Sequence, residues 1–248
     1  MKRLAIVVAL LVVSCRATEH RPTLVFEAGL GDSSAPWQAV AARAKSIAPV
    51  FTYDRPGLGT SPPATTPRTA KNIAAELHER LAREHVAPPY ILMSHSAGAW
   101  YALQFASDYR NDVVGLIMID PTPLDFFEKA QFIMPPWELE NLTADMAEYR
   151  AKASPGRAAE WDARGEAQRE AAAAKTRRDL PVTIITADVK EHSPGVRRWW
   201  LERHEQWARE WPLGHHVTVK CGHYVQLEQP DVVLAEITRI VSSLHQEH

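Results

Sequence analysis

The reading of this chain turns on Tyr90-Ile91-Leu92-Met93-Ser94-His95-Ser96-Ala97-Gly98-Ala99-Trp100. A short apolar run, read as a buried strand, stops at Ser96; small residues follow, and an amphipathic segment from Trp100 to Ala106 is predicted to be helical. Strand, serine, tiny residues and helix are the order a nucleophile elbow needs. Such a turn holds its serine in strained backbone geometry and leaves room for little beyond hydrogen or methyl two residues to either side. The helix that starts there aims free N–H groups and its positive dipole end at the serine. Five residues fit a buried strand ending in a Ser-rich turn equally well, so the flanking chain has to decide.

Before this stretch, Thr23-Leu24-Val25-Phe26 is a short β-rich run that breaks into the loop Glu27-Ala28-Gly29-Leu30-Gly31-Asp32-Ser33. Pro36 to Ala48 is helix-like, and Val50-Phe51-Thr52-Tyr53 is a second strand running into Asp54-Arg55-Pro56-Gly57-Leu58-Gly59-Thr60-Ser61-Pro62. Ile73, Leu77 and Leu81 form one stripe of a helix over Thr69 to Glu84, which Pro88-Pro89 stops. After it, Asp112 to Pro121 is apolar on both faces and ends in Asp120, as a central parallel strand would. Residues 122–179 carry no strand pattern and are predicted to be a helical cap inserted over the active-site end; peripheral helices are the plainer alternative. Pro181 to Ala187 returns to strand and ends at Asp188. Val196 to Trp211 is a helix with Trp200, His204, Trp207 and Trp211 on one face, a stripe read as core packing. His216 to Lys220 is the last strand, Cys221-Gly222-His223-Tyr224 follows, and Gln229-Pro230-Asp231 opens a final helix. Strand–helix alternation of this kind predicts a doubly wound α/β core over 16–121 and 180–248.

Four spaced segments carry a family resemblance, the first being the glycine loop Glu27 to Ser33, which lies where the oxyanion loop of an α/β-hydrolase would. Tyr53-Asp54-Arg55-Pro56-Gly57-Leu58-Gly59-Thr60-Ser61 resembles the loop after the fourth strand in α/β-hydrolase-fold enzymes. Ser94-His95-Ser96-Ala97-Gly98 is similar to their G-x-S-x-G, with Ser94 in place of the first glycine, and Gly222-His223-Tyr224-Val225-Gln226-Leu227-Glu228-Gln229-Pro230 resembles their histidine segment. The resemblance covers nearly all of the mature chain except the cap. It implies an α/β-hydrolase fold, a mostly parallel sheet flanked by helices with an inserted helical cap. Serine, acid and histidine then fall in the family's chain order. Ser96 is the candidate nucleophile and His223 its base; His95 is read as structural, His215 and His216 as surface or packing residues, and Cys221 as a small buried neighbour. Two aspartates compete to orient the histidine. Asp188 ends the strand after the cap, where most members carry the acid, and Asp120 ends the strand before it, where some haloalkane-dehalogenase-like members do; Asp120 is narrowly favoured. By the family's geometry the oxyanion donors are the backbone N–H groups of Leu30 and Ala97, although Ala28-Gly29 stands where His-Gly is more usual. Each such donor is worth ~3 kcal/mol in the transition state. The Asp54–Pro62 loop is assigned packing and no catalytic role.

The implied enzyme is a serine hydrolase that cleaves a carboxylic ester or related acyl bond of a small-molecule acyl substrate through an acyl-enzyme, without cofactor or metal. Ser96 argues against haloalkane dehalogenase and epoxide hydrolase chemistry, which uses a carboxylate nucleophile. Aminopeptidase, C–C bond hydrolase and perhydrolase share the same triad. A non-catalytic, lipid-anchored binding protein of this fold is the alternative of another class.

Composition sets the outer bounds. The 248 residues, 46% hydrophobic and 23% charged, suit one large domain or a core with an insertion. A net charge of −2 lacks the basic excess of a nucleic-acid surface. Cys15 and Cys221 make neither a disulfide framework nor a zinc site. Lys2 and Arg3 precede an apolar run from Leu4 to Val13, an export signal too short to span a bilayer as a mature helix. Val12-Val13-Ser14-Cys15 resembles the bacterial lipobox, so the expectation is periplasmic export or membrane attachment through a lipidated Cys15, with residues 1–15 set apart from the fold. A plain cleaved signal or an internal strand are the alternatives.

Overall fold

The computed structural model describes residues 21–190 and 192–244; the expected export signal and Cys15 lie outside them. Within that range the strands are β1 (Thr23–Glu27), β2 (Val50–Thr52), β3 (Tyr90–His95), β4 (Val113–Ile119), β5 (Val182–Ala187) and β6 (Gly214–Val219). They form one parallel sheet in the order β2-β1-β3-β4-β5-β6. The chain winds outward from β1 to β2, then crosses back to β3 and winds the other way. The carboxyl ends of β1 and β3 therefore flank the switch point where such sheets open a crevice. Glu27 and Ser94 sit side by side there.

Helices α1 (Gln38–Ala44), α2 (Ala70–Arg83) and α3 (Gly98–Asp108) precede β4; α4 (Phe126–Ile133), α5 (Pro136–Lys152) and α6 (Pro155–Ala173) lie between β4 and β5. α7 (Pro194–Arg209) precedes β6, and α8 (Val225–Glu228) and α9 (Pro230–Leu244) close the described chain. Alternate strand residues feed two cores. Val25, Leu92, Met118 and Ile184 pack under α2, α3 and α7, and Phe26, Met93, Ile117 and Ile185 pack over α1 and α9. That two-sided burial is why the strands read as unbroken apolar runs.

Some elements differ from the sequence reading. α3 is buried from Gly98 through Ala106 rather than amphipathic, because the sheet, α2 and α6 enclose it. β6 begins at Gly214, and the short α8 was not foreseen. The α7 stripe is interior as expected at His204, Trp207 and Trp211. Within 122–179, α6 lies along α2 and α3, with Ala167 and Ala171 among Ile73, Trp100 and Tyr101. α5 is lightly packed, Glu138 being its single buried residue.

A buried ion cluster joins these parts. Arg55 contacts Glu27 Oε1 at 2.5 Å and the α6 residue Glu160 at 2.7 and 2.8 Å. It also donates to the carbonyls of Ala28 at 2.8 Å and Gly29 at 2.6 Å. Tyr53 Oη donates to the other oxygen of Glu27. Burial pushes the Glu27 carboxyl above its ordinary value despite Arg55 and Tyr53. The Tyr53–Ser61 segment thus packs beneath the glycine loop. The N-terminus of α6 closes on it so tightly that a Cβ at Gly156 would lie 2.0 Å from the Gly57 carbonyl.

Arg55→Met strands two buried carboxylates. The expected loss is about 3–5 kcal/mol, read as a lowered urea midpoint at neutral pH. A second prediction concerns His204, whose Nε2 meets the Pro121 carbonyl at 2.7 Å and whose Nδ1 meets Thr186 Oγ1 at 2.8 Å. Burial lowers its pKa to about 4, against roughly 6.5 in an unfolded chain. Between those values the unfolded chain binds the extra proton, so stability falls as pH drops through that window, by up to ~3 kcal/mol from this group. In His204→Gln the urea midpoint should depend less on pH between 6.5 and 4. An unchanged slope would remove His204 from the acid response.

Candidate active site

β3 ends at His95, and the chain turns at Ser96 with φ +54°, a strained value for a residue with a side chain. The Ser96 N–H is held by the Ile119 carbonyl at 3.0 Å. Gly98 has no room for a methyl group, since its Cβ would lie 2.5 Å from the Ala28 carbonyl. Ser94 meets no such demand: it is a regular β3 residue between Glu27 and Met118, which is why serine can stand there. Ala97 caps α3, so the helix N-terminus opens beside the Ser96 hydroxyl.

β4 ends in the same manner. Asp120 has φ +40° and its N–H is held by the Ile185 carbonyl at 2.6 Å. Its Oδ2 accepts from His223 Nδ1 at 2.6 Å; its Oδ1 accepts from Trp200 Nε1 at 2.8 Å and the Ala187 N–H at 3.1 Å. Burial raises the pKa of this carboxyl, but the hydrogen bond and charge of His223, with His204 and Trp200, outweigh it and leave the group below the usual carboxylate range. Asp188 lies one strand over with its Oδ1 taken by Arg197 at 2.5 and 2.8 Å. The structure therefore brings Asp120, not Asp188, to His223.

Ser96 and His223 face one cavity of about 410 Å³, with Leu30 and Ala97 also in its wall. The Ser96 Oγ shares a 3.2 Å hydrogen bond with Thr122 Oγ1. Phe127 of α4, Leu142 and Met146 of α5, Trp161 of α6 and Trp200 of α7 make the remainder largely apolar. Other polar side chains in its wall are occupied: Arg197 pairs with Asp188, and His192 Nδ1 meets Glu138 at 2.8 Å. Among the described residues no group of three or more His, Cys, Asp or Glu side chains is placed to hold a metal.

Several site residues escaped the sequence reading. Thr122 was passed over, although it follows Asp120 by two residues at a strand end. Trp200 was read as packing; the signal that could have found it is its indole N–H, which needs a partner when partly buried. His95 is structural in a specific sense: its Nε2 meets the backbone carbonyl of His223 at 3.0 Å and the two rings lie 4.6 Å apart. Burial and the neighbouring His223 lower its pKa to about 3, which keeps it neutral. Cys221 is half-buried, and burial raises its thiol to about 11, unsuited to nucleophilic work at neutral pH. His216 bonds Thr186 at 2.8 Å, and His215 is exposed beside Glu236.

The sequence profile described as "Alpha/beta hydrolase family" matches residues 24–236. Over 109 residues the chain is 38% identical to the uncharacterized protein YqjL of Bacillus subtilis (strain 168), covering 42% of this chain and 43% of that protein. It thus spans less than half the length of that curated relative. Among solved structures, a thermophilic esterase from Thermogutta terrifontis is similar at TM-score 0.65 and 19% identity, over 90% of each chain. The enol-lactonase from Burkholderia xenovorans LB400 is similar at TM-score 0.59 and 14% identity, over 89% of this chain and 91% of that one. At such identities the structural likenesses speak to fold alone. The profile match, spanning β1 to α9 and every residue of the site just described, makes this chain a member of the alpha/beta hydrolase family.

Proposed function

We propose that the protein is a serine hydrolase that cleaves neutral, apolar carboxylic esters or related acyl bonds. The observation that carries this reading is the hydrogen bond between buried Asp120 and half-buried His223 on the cavity that Ser96 faces. With Nδ1–H committed to Asp120, the histidine presents Nε2 as the free base, the tautomer that can accept the serine proton. Ser96 Oγ attacks the acyl carbon as His223 Nε2 takes its proton. The tetrahedral oxygen lies between the N–H groups of Ala97 and Leu30, and His223 returns the proton to the leaving alcohol. Water repeats the sequence on the acyl-enzyme. Asp120 stabilises the imidazolium and never needs to take up the proton itself.

The substrate class follows from the cavity wall. Its cationic side chain Arg197 is already paired with Asp188, so a free carboxylate on the substrate would find no cation to offset its desolvation. Two of the similar solved structures, named as an esterase and an enol-lactonase, are in keeping with acyl chemistry, while others carry the names of a haloalkane dehalogenase and a non-heme bromoperoxidase. The N-terminal sequence ending Val12-Val13-Ser14-Cys15 further supports export, with attachment through a lipidated Cys15.

Hydrolysis of p-nitrophenyl esters tests the reading with protein beginning at residue 16. Ser96→Ala should lose at least ~10³-fold in kcat, and Asp120→Asn on the order of 10⁴-fold through the wrong histidine tautomer. Asp188→Asn should stay within about fivefold of wild type, because that carboxylate only holds Arg197. If Asp188→Asn falls as far as Asp120→Asn, the triad is assigned wrongly. If the wild type cleaves no ester and a serine-directed phosphonate does not label Ser96, the hydrolase reading fails.

A further inference from the structure

The loop between β1 and α1 is held from outside the core. Four consecutive carbonyls each accept a side-chain donor. Arg55 takes those of Ala28 and Gly29, as described above. Tyr149 Oη donates to Leu30 O at 3.2 Å, and Arg157 Nε to Gly31 O at 3.0 Å. Glu160 Oε2 accepts the Gly31 N–H at 2.8 Å. Arg157 and Glu160 belong to α6, which the core helices support. Tyr149 belongs to the lightly packed α5, and it is the one member of the set that also lines the cavity. Gly31 permits its approach: φ is +71°, and a Cβ there would lie 2.1 Å from Tyr149 Oη.

We propose that Tyr149 is a positioning residue through which an apolar substrate group filling the cavity sets the aim of the Leu30 N–H. This rests on the acyl-hydrolase reading above. Leu142, Met146 and Tyr149 fall on one face of α5 at helical spacing, and all three line the cavity. A long acyl chain packing against Leu142 and Met146 presses on the same face that carries Tyr149. The hydroxyl fixes the Leu30–Gly31 peptide on one side of Leu30, while Arg55 fixes the Gly29–Leu30 peptide on the other. The Leu30 N–H belongs to the Gly29–Leu30 peptide that Arg55 holds, and Tyr149, by fixing the peptide that follows, restrains it further through the Leu30 backbone torsions. A short ester leaves α5 unsupported and the donor less well aimed. Preference for long or branched apolar esters is then expressed in kcat, because the aim of this N–H matters most when the oxyanion forms.

The test compares p-nitrophenyl acetate, butyrate and hexanoate on wild type and Tyr149→Phe, with hydrogen exchange of residues 28–33 before and after labelling by a hexyl phosphonate. In the wild type kcat should rise with acyl length while KM changes little, and labelling should slow exchange in the loop. Tyr149→Phe should cut kcat for the hexanoate roughly tenfold, leave KM within about threefold, flatten the length dependence and lose the slowing of exchange. A wild-type length preference carried by KM, or a Tyr149→Phe loss confined to KM, overturns the coupling while the hydrolase reading stands. Should Tyr149→Phe not fold, the wild-type split between kcat and KM decides alone. A wild type that neither cleaves esters nor takes the phosphonate removes the hydrolase reading and the coupling together.

Discussion

Arg55 in its two-carboxylate cage is the interaction on which the rest of the structure depends. One guanidinium, 2% exposed, links a strand end (Glu27), the carbonyls of the loop after it (Ala28, Gly29) and a helix more than 100 residues later (Glu160). Burying three ionisable groups costs several kcal/mol per ion, which mutual attraction offsets only when geometry and hydrogen bonding are nearly complete. Here Arg55 Nε, Nη1 and Nη2 all donate, Tyr53 satisfies the remaining oxygen of Glu27, and the Gly31 N–H adds a second bond to Glu160 Oε2. A hydrophobic cluster could supply comparable stability, but it could not hold specified backbone carbonyls at hydrogen-bond distance. The return on the cluster is therefore positional: it sets where the Leu30 backbone stands relative to Ser96.

The same division between rigid frame and strained site repeats at the strand ends. Ser96 and Asp120 both take positive φ, a conformation that costs about 1–3 kcal/mol for a residue with a side chain. Each is held there by a backbone bond to the adjacent strand, Ser96 to Ile119 and Asp120 to Ile185. β3, β4 and β5 are buried on both faces, so their ends move little, and a parallel sheet delivers both residues to its carboxyl edge. The neutral histidines His95 and His204 add to this by holding the backbone of His223 and of Pro121.

Much of this frame is legible in the sequence, and the limits have physical causes. Two-sided burial writes itself as continuous apolar runs, so the central strands were readable, whereas α3 looked amphipathic because the residues that enclose it come from α6, far along the chain. Ser96, His223 and the glycine loop carry local signatures of turn and strand end. The choice between Asp120 and Asp188 has no local signature: both end strands, and Arg197 occupies the second only because α7 folds back over β5. Thr122 and Tyr149 were illegible for the same reason, since each acts through a partner distant in sequence, and Trp200 offered an indole N–H in need of a partner with nothing nearby to name Asp120 as that partner. Hydrogen-bond partners across a fold leave no period to count.

The cavity brings these threads together. Its wall is mainly hydrocarbon and aromatic, yet Asp120 behind it is kept ionised by three donors, His223, Trp200 and the Ala187 N–H. An apolar enclosure strengthens each of those hydrogen bonds, and it equally strengthens the field felt by charge developing on an oxygen near Ser96. In water the same groups would be screened and mobile; here their orientation is decided on folding. The helices α5 and α6 that contribute to the apolar wall also bond the loop after β1, and Tyr149 is the residue that does both. Under the proposed acyl-hydrolase reading, a change in α5 that alters which group fits the cavity would also reach the loop after β1, because Tyr149 touches both.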